Sequence, residues 1–528
     1  MKQFMKKSIR RAAAVALLAV LGTWAFFAYS AWRADPLQSW HIYVPREMSV
    51  GDMESADWRA YTAHENGLFE EVRKQVTERL PEEAKTLMNR YYEGSLVYPP
   101  RFHQDWNRSY FLLPEGEPQG AVVLLHGLTD TPYSLRHVAR LYARKGFVAL
   151  GIRLPGHGTV PAGLTDSSWQ DWMAATRLAV RESARIAGPD KAVHVVGFST
   201  GGALAVKYAL DAMEDTSLRR PDRIVLLSPM VGITRFARFA GLTAVPAILP
   251  AFSNAAWLGV LPEFNPFKYN SFPVNGARQS HLLSQALQIQ IARLAKTEAF
   301  ATLAPVLTFQ SVLDYTVSTP AVLYHLYAYL PDNGSELHMY DVNQASLIGG
   351  LMRAGAAQSL QRMLPRDPQR YTLAVLRNRA PGDQRTMLVT RKAGSLEETS
   401  APLDLVYPKS VFSLSHGAIP FPLYDPLYGM NPSADGAVRY GVNLGNLSLR
   451  GERGALLVPM DAMLRMASNP FFPLLLEQVE KGIDNPRPAA GPLAPALPPS
   501  GRPAEVEGLF EEFLEEQEND VFPGASTF

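Results

Sequence analysis

Short apolar runs alternate with segments of helical periodicity through the middle of the chain. "SYFLLP" and "AVVLLHG" precede a helical pattern near 133–145, "FVALGIRLPGHG" precedes one near 168–187, and "AVHVVGFS" precedes one near 201–213. "RIVLLSP" and later "APVLTFQSVLD" continue the series. Unbroken apolar runs fit strands buried on both faces, and the helices between them fit parallel crossovers. The pattern predicts an α/β protein with a mostly parallel sheet and helices on both faces.

Two segments break this rhythm. Residues 230–303, rich in Phe, Leu, Ala and Pro, sit between two predicted strands and read as an insertion over the sheet. Residues 343–410, with "YTLAVL" and "TMLVT", read as a second insertion. Both belong to a main domain over 108–484. Residues 33–107 form an extension ahead of it, where Leu68, Val72, Val76 and Leu80 share one face of a helix predicted in "ENGLFEEVRKQVTERL". Residues 485–528 begin with a Pro/Ala linker that cannot build a core. They continue into acidic "EGLFEEFLEEQEND", read as a solvated tail. Docking of its Leu509, Phe510, Phe513 and Leu514 face on the domain or on a protein partner is the alternative.

The start of the chain has a different character. Residues 1–11 carry Lys2, Lys6, Lys7, Arg10 and Arg11, and Ala12 to Trp32 run without a charge. As a helix, 12–32 would cover roughly 30 Å, the thickness of a bilayer core. This predicts a single-pass anchor in a bacterial inner membrane, with the basic flank cytoplasmic and the main domain periplasmic. A secretory signal cleaved near "AYS" is the alternative, which would leave a secreted protein. The 528 residues are 47% hydrophobic and 19% charged, suiting a globular chain with a large core. A net charge of +1 offers no field for nucleic acid. The absence of cysteine excludes disulfides, thiolate metal sites and a cysteine nucleophile. No His/Asp/Glu cluster has ligand spacing, so neither metal nor cofactor is expected.

Candidate chemistry centres on "GFSTG". Gly197-Phe198-Ser199-Thr200-Gly201 follows a predicted strand and opens a predicted helix, where a G-x-S-x-G turn projects its serine above the sheet edge. A serine hydroxyl needs a base to become a nucleophile. In this strand–turn–helix setting the acid and the histidine follow the serine along the chain. After residue 199 the histidines are His281, His325, His338 and His416. Asp314 closes "PVLTFQSVLD", and the histidine should come later still. His325 falls in a predicted helix and His338 in the strand "ELHMYDV", whereas His416 enters a loop after strand-like "SVFSLS". Ser199, Asp314 and His416 are therefore the expected triad, with Asp341 as the rival acid. A tetrahedral oxyanion needs two N–H donors. Thr200 follows the serine, and Leu128 lies in the loop "HGLT" after "AVVLL". His126 reads as a brace for that loop.

"LLHGLTDTPYSLRHVARLYARKGFVALGIRLPGHG", "VHVVGFSTGGALA" and "VLDYTVS" together resemble the bacterial carboxylesterase and monoacylglycerol lipase branch of the α/β-hydrolase superfamily. The resemblance covers roughly residues 108–330 and the region of His416. It implies a Ser-Asp-His esterase in which a helical lid, here 230–303, covers an acyl pocket, and a small-molecule or lipid-like ester as substrate. About a hundred residues separate acid and histidine here, where that branch places a few tens. Phe236, Phe239 and Leu242 are the expected acyl-chain contacts. A thioesterase, peptidase or acyltransferase on the same triad remains open, as does a non-catalytic scaffold.

Overall fold

The computed structural model describes residues 36–232, 250–352, 359–432, 442–445 and 467–485, with scattered helical positions between 11 and 25. Its centre is a ten-stranded sheet. In chain order the first five strands are β1 (Tyr110–Leu112), β2 (Gly120–Leu125), β3 (Phe147–Ile152), β4 (Ala192–Phe198) and β5 (Arg223–Leu227). After a two-stranded ribbon, β6 (Trp257–Gly259) with β7 (Phe272–Pro273), come β8 (Val306–Ser311) and β9 (Glu336–Tyr340). The last are β10 (Thr372–Asn378), β11 (Arg385–Arg391) and β12 (Glu398–Val406). The order across the sheet is β1-β3-β2-β4-β5-β8-β9-β10-β11-β12. From β3 to β10 every neighbouring pair is parallel. β1 lies antiparallel on β3, and β10 to β12 form an antiparallel meander.

The interior strands are apolar because both faces are covered. In β2, Ala121, Val123 and Leu125 join one core while Val122 and Leu124 join the other. On the first face pack the helices Trp169–Ala187 and Thr200–Glu214, and on the second Arg136–Arg144. Ser168 starts the first of these through a capping box with Asp171. The strand-like pieces of 343–410 are β10 and β11, which widen this sheet.

The extension before β1 is folded against the domain. Its helix runs Trp58–Gln75, capped by Asp57, and starts earlier than the apolar spacing suggested. Leu68, Val72, Val76 and Leu80 are all buried, but the helix ends at Gln75, so only Leu68 and Val72 share its face, while Val76 and Leu80 flank the short turn Thr77–Arg79. Buried Arg153, just after β3, ties the extension down: it bonds Glu47 at 2.8 Å and Glu65 at 3.2 Å, and its carbonyl accepts from Tyr61 Oη at 2.6 Å.

The membrane anchor expected over 12–32 is corrected here. A span needs about 20 consecutive apolar residues in one helix. Among the described residues no helix is long and apolar enough to cross a membrane. Most of 12–32 lies outside the described residues, and the inner-membrane, periplasmic placement built on it is withdrawn. Phe236, Phe239 and Leu242 also lie outside the described residues, as does the acidic tail.

Candidate active site

β4 ends in a sharp turn at Ser199, whose φ of 53° and ψ of −116° are unusual for a residue with a side chain. The glycines around it are required by space. A Cβ on Gly197 would meet Gly201 O at 2.2 Å, and one on Gly201 would meet Leu125 O at 1.9 Å. The turn is held by its own carbonyl, which accepts from Gly202 N at 2.9 Å and Met230 N at 2.9 Å. Thr200 begins the helix Thr200–Glu214, so its N–H belongs to a first turn that lacks intrahelical acceptors.

β8 leads into a loop that enfolds Asp314. The side chain is fully enclosed, and Oδ1 accepts from Thr316 N at 2.8 Å and Val317 N at 3.0 Å. Oδ2 faces His416 Nδ1 at 2.9 Å and accepts from Gln310 Nε2 at 3.2 Å. Burial pushes the Asp314 carboxyl up, but the His416 imidazole and the two amides outweigh it and hold it below its ordinary value. His416 opens the short turn His416–Ala418 and stacks on Phe198, ring centres 5.1 Å apart. With Nδ1 on the carboxylate, Nε2 is the ring nitrogen that Asp314 leaves unused. The rivals lie elsewhere: His338 sits in β9 against Glu336 at 3.4 Å, and Asp341 accepts from Val342 N at 2.8 Å.

Ser199, Thr200, Leu128 and His416 line one cavity of about 430 Å³. The loop carrying Leu128 is braced as expected by His126. Its Nε2 accepts from Leu154 N at 3.1 Å, and its Nδ1 donates to Gly127 O at 2.9 Å. Burial, then neighbouring His157, push His126 well below its ordinary value, so the ring is neutral and this tautomer is fixed. The next residue after Leu128, Thr129, has a φ of 60°, a strained value for a β-branched side chain. Its carbonyl accepts from Tyr269 N at 2.7 Å.

The segment before β8 supplies much of the wall. Leu261, Phe264 and Phe272 are apolar, whereas Asn265, Lys268 and Asn270 form a polar stretch joined by Asp130 and Tyr428. Burial raises the Asp130 carboxyl against the pull of Lys268 and Ser134. Sequence reasoning passed over these polar positions. Their signal is "NPFKYN", a polar interruption in an otherwise apolar insertion.

The α/β hydrolase family model matches residues 122–371. A thermostable monoacylglycerol lipase of Bacillus sp. (strain H-257) is 35% identical over 96 residues, 18% of this chain and 36% of the lipase. The chain thus spans little more than a third of that relative. One of the metagenome-derived lipolytic enzymes LipS and LipT shows 22% identity and a TM-score of 0.36, over 45% of this chain and 88% of that one. A soluble variant of the Saccharomyces cerevisiae monoglyceride lipase, bound to a substrate analogue, shows 14% identity and a TM-score of 0.34, over 44% and 81%. With the parallel sheet, the serine turn and the family match over 122–371 in agreement, the chain has an α/β-hydrolase fold and is similar to the esterase and monoacylglycerol lipase branch.

Proposed function

We propose that the protein is a serine hydrolase that cleaves carboxylic esters of hydrophobic acyl groups through an acyl-enzyme. The observation that carries this reading is the pairing of His416 Nδ1 with Asp314 Oδ2 at 2.9 Å across 102 residues of chain. It occurs beside a serine held at positive φ in the same cavity.

Ser199 attacks the ester carbonyl while His416 Nε2 takes its proton. Asp314, kept ionised by its donors, fixes the imidazole tautomer and stabilises the imidazolium that forms. The amides of Leu128 and Thr200 receive the oxyanion, and the positive end of the helix at Thr200 adds to that field. The tetrahedral intermediate collapses as His416 returns the proton to the leaving alcohol. Water, deprotonated by His416, then frees the acid from Ser199. The apolar wall at Leu128, Met230, Leu261, Phe264 and Phe272 suits an acyl chain, at about 0.8 kcal/mol per buried methylene. In this reading 230–303 serves as the lid. The polar stretch at Asn265, Lys268 and Asn270 suits a hydrogen-bonding part of the ester. Ester hydrolysis is also what the names of the lipase relatives support.

A fluorophosphonate probe tests the nucleophile. Wild-type protein should be labelled at Ser199, and Ser199→Ala should not. Hydrolysis of p-nitrophenyl esters of graded chain length, beside thioester and anilide analogues, then tests the bond cleaved. Absence of labelling would sink the serine-hydrolase reading. Faster turnover of thioesters or anilides would move it to a thioesterase or peptidase.

A further inference from the structure

His416 is far along the chain from its acid, and no strand delivers it. The strand next to β8 is β9, and its carboxyl end, Asp341 to Asn343, lies beside the acid loop. No histidine stands there. Three more strands intervene, and the chain returns from β12 through a loop over residues 407–415 that has no strand of its own. Something other than sheet hydrogen bonding must set the height and direction of the imidazole.

The side chain of Asn343 fills that place. It is 1% exposed. Its Nδ2 donates to Pro408 O at 2.9 Å and to Val411 O at 2.6 Å. Its backbone N–H donates to Phe412 O at 2.9 Å. Its Oδ1 accepts from Ala345 N at 3.0 Å and from Asn378 Nδ2 at 3.1 Å. The amide is therefore fully used, and its orientation is fixed by partners: the reverse would set its oxygen against two carbonyls. Asn378 closes β10, and its own Oδ1 accepts from Gln344 N at 2.8 Å. Two further bonds seat the loop on the same edge, Tyr407 Oη to Asp341 O at 3.1 Å and Leu347 N to Lys409 O at 3.0 Å. Only Ser413, Leu414 and Ser415 separate this clamp from His416, and Leu414 is buried.

We propose that Asn343, held by Asn378, is the positioning residue that sets His416 against Asp314. It acts through the loop backbone and touches no reacting atom. The inference rests on the reading of His416 as the base, but the pairing of His416 with Asp314 can be measured without any substrate.

The test is Asn343→Asp, which keeps the shape and removes both amide donors. In wild-type protein the His416 Nδ1 proton should give a proton NMR signal far downfield of the amides, identified by its loss in His416→Gln. Asn343→Asp should lose that signal. Its kcat on a short-chain ester should fall about 10²-fold, the cost of a misplacement near 1 Å, while KM stays near wild type. If Asn343→Asp does not fold, Asn378→Ala leaves the Asn343 amide in place but removes the support of its Oδ1, along with the bonds from Gln344 N and to Asp383 O, and should lower kcat several-fold at unchanged KM. Tyr208→Phe, which deletes a distant bond to Arg219 O, should leave signal and kcat unchanged. A folded Asn343→Asp or Asn378→Ala with a wild-type signal and kcat overturns the proposal. A wild-type protein that cleaves no ester, yet shows a downfield proton that Asn343→Asp removes, would refute the proposed function and leave the positioning role standing.

Discussion

Asp314→Asn is the sharpest test of how the acid works. The two oxygens of Asp314 have different duties. Oδ1 accepts from two backbone amides, Thr316 at 2.8 Å and Val317 at 3.0 Å, neither of which can turn away. An asparagine must keep its oxygen there, so its NH₂ group faces the His416 nitrogen that stands 2.9 Å from Oδ2. A donor facing Nδ1 forces that nitrogen to accept, and the ring proton moves to Nε2. The imidazole then presents N–H to Ser199 and cannot take its proton. Loss through the wrong tautomer, with geometry intact, costs about 10⁴-fold in kcat in serine triads. That is about 5.4 kcal/mol at 1.36 kcal/mol per decade. Steady-state hydrolysis of a short p-nitrophenyl ester would measure it. Asp314→Ala leaves the tautomer free, so it should be at least as active as Asp314→Asn. An Asp314→Asn enzyme within about tenfold of wild type would refute the tautomer argument. An alanine variant clearly worse than the asparagine variant would point instead to loss of packing.

Two further outcomes follow from the same geometry. Gly201→Ala places a Cβ 1.9 Å from Leu125 O and 2.7 Å from His126 O, so the serine turn or the Leu128 loop must move. Its kcat should fall about 10²-fold, and an unchanged kcat would show that the turn tolerates the shift. Burial, with Arg136 adding to it, pushes His137 down to about 4, even though Asp425 pulls the other way; burial likewise takes His157 to about 4. Unfolded, each binds a proton near pH 6.5. Between those values the unfolded chain holds more protons at these two sites, so their contribution to stability falls as pH drops from about 6.5 toward 4. A melting temperature that stays flat from pH 7 to pH 5 would contradict this.

The sheet was legible because burial on both faces removes alternation: β2 and β3 are apolar at almost every position, and that shows in one dimension. Ser199 was legible because a strand, a glycine-flanked turn and a helix start are all local features. Asp314 followed from lying just after the strand two places beyond that of the serine in the sheet. His416 was reached by elimination among four histidines, and one reason offered for it fails. "SVFSLS" forms no strand, and the loop is fixed by a side-chain amide more than sixty residues away in sequence. Such a bond leaves no periodicity to read. The strands β10 and β11 were visible as strands, unlike β12, yet their membership of the main sheet depends on pairing with β9, which local pattern does not encode. The anchor failed as an expectation because hydropathy alone sets no helix length, and among the described residues no sufficient span exists.

The extension before β1 also acquires a role that its sequence did not suggest. Its residues reach over the domain to the cavity wall. His41 Nε2 meets Ser271 Oγ at 2.9 Å, Arg90 N donates to Glu263 O at 2.9 Å, and Asn107 Nδ2 donates to Pro266 O at 3.1 Å. Glu263, buried, accepts from Ser271 N at 2.8 Å and Asn270 N at 3.0 Å, which closes the segment on itself. That segment in turn grips the loop proposed to supply an oxyanion amide. Tyr269 N donates to Thr129 O at 2.7 Å, and Thr131 Oγ1 donates to Phe267 O at 2.8 Å. A threonine at a φ of 60° costs on the order of 1–3 kcal/mol and persists only where its surroundings over-determine it. Two buried hydrogen bonds at about 0.5–1.5 kcal/mol each are of the same size. The strained loop is thus matched by contacts from a segment that the extension holds in place, so the geometry beside Leu128 depends on residues as distant in sequence as His41, Arg90 and Asn107.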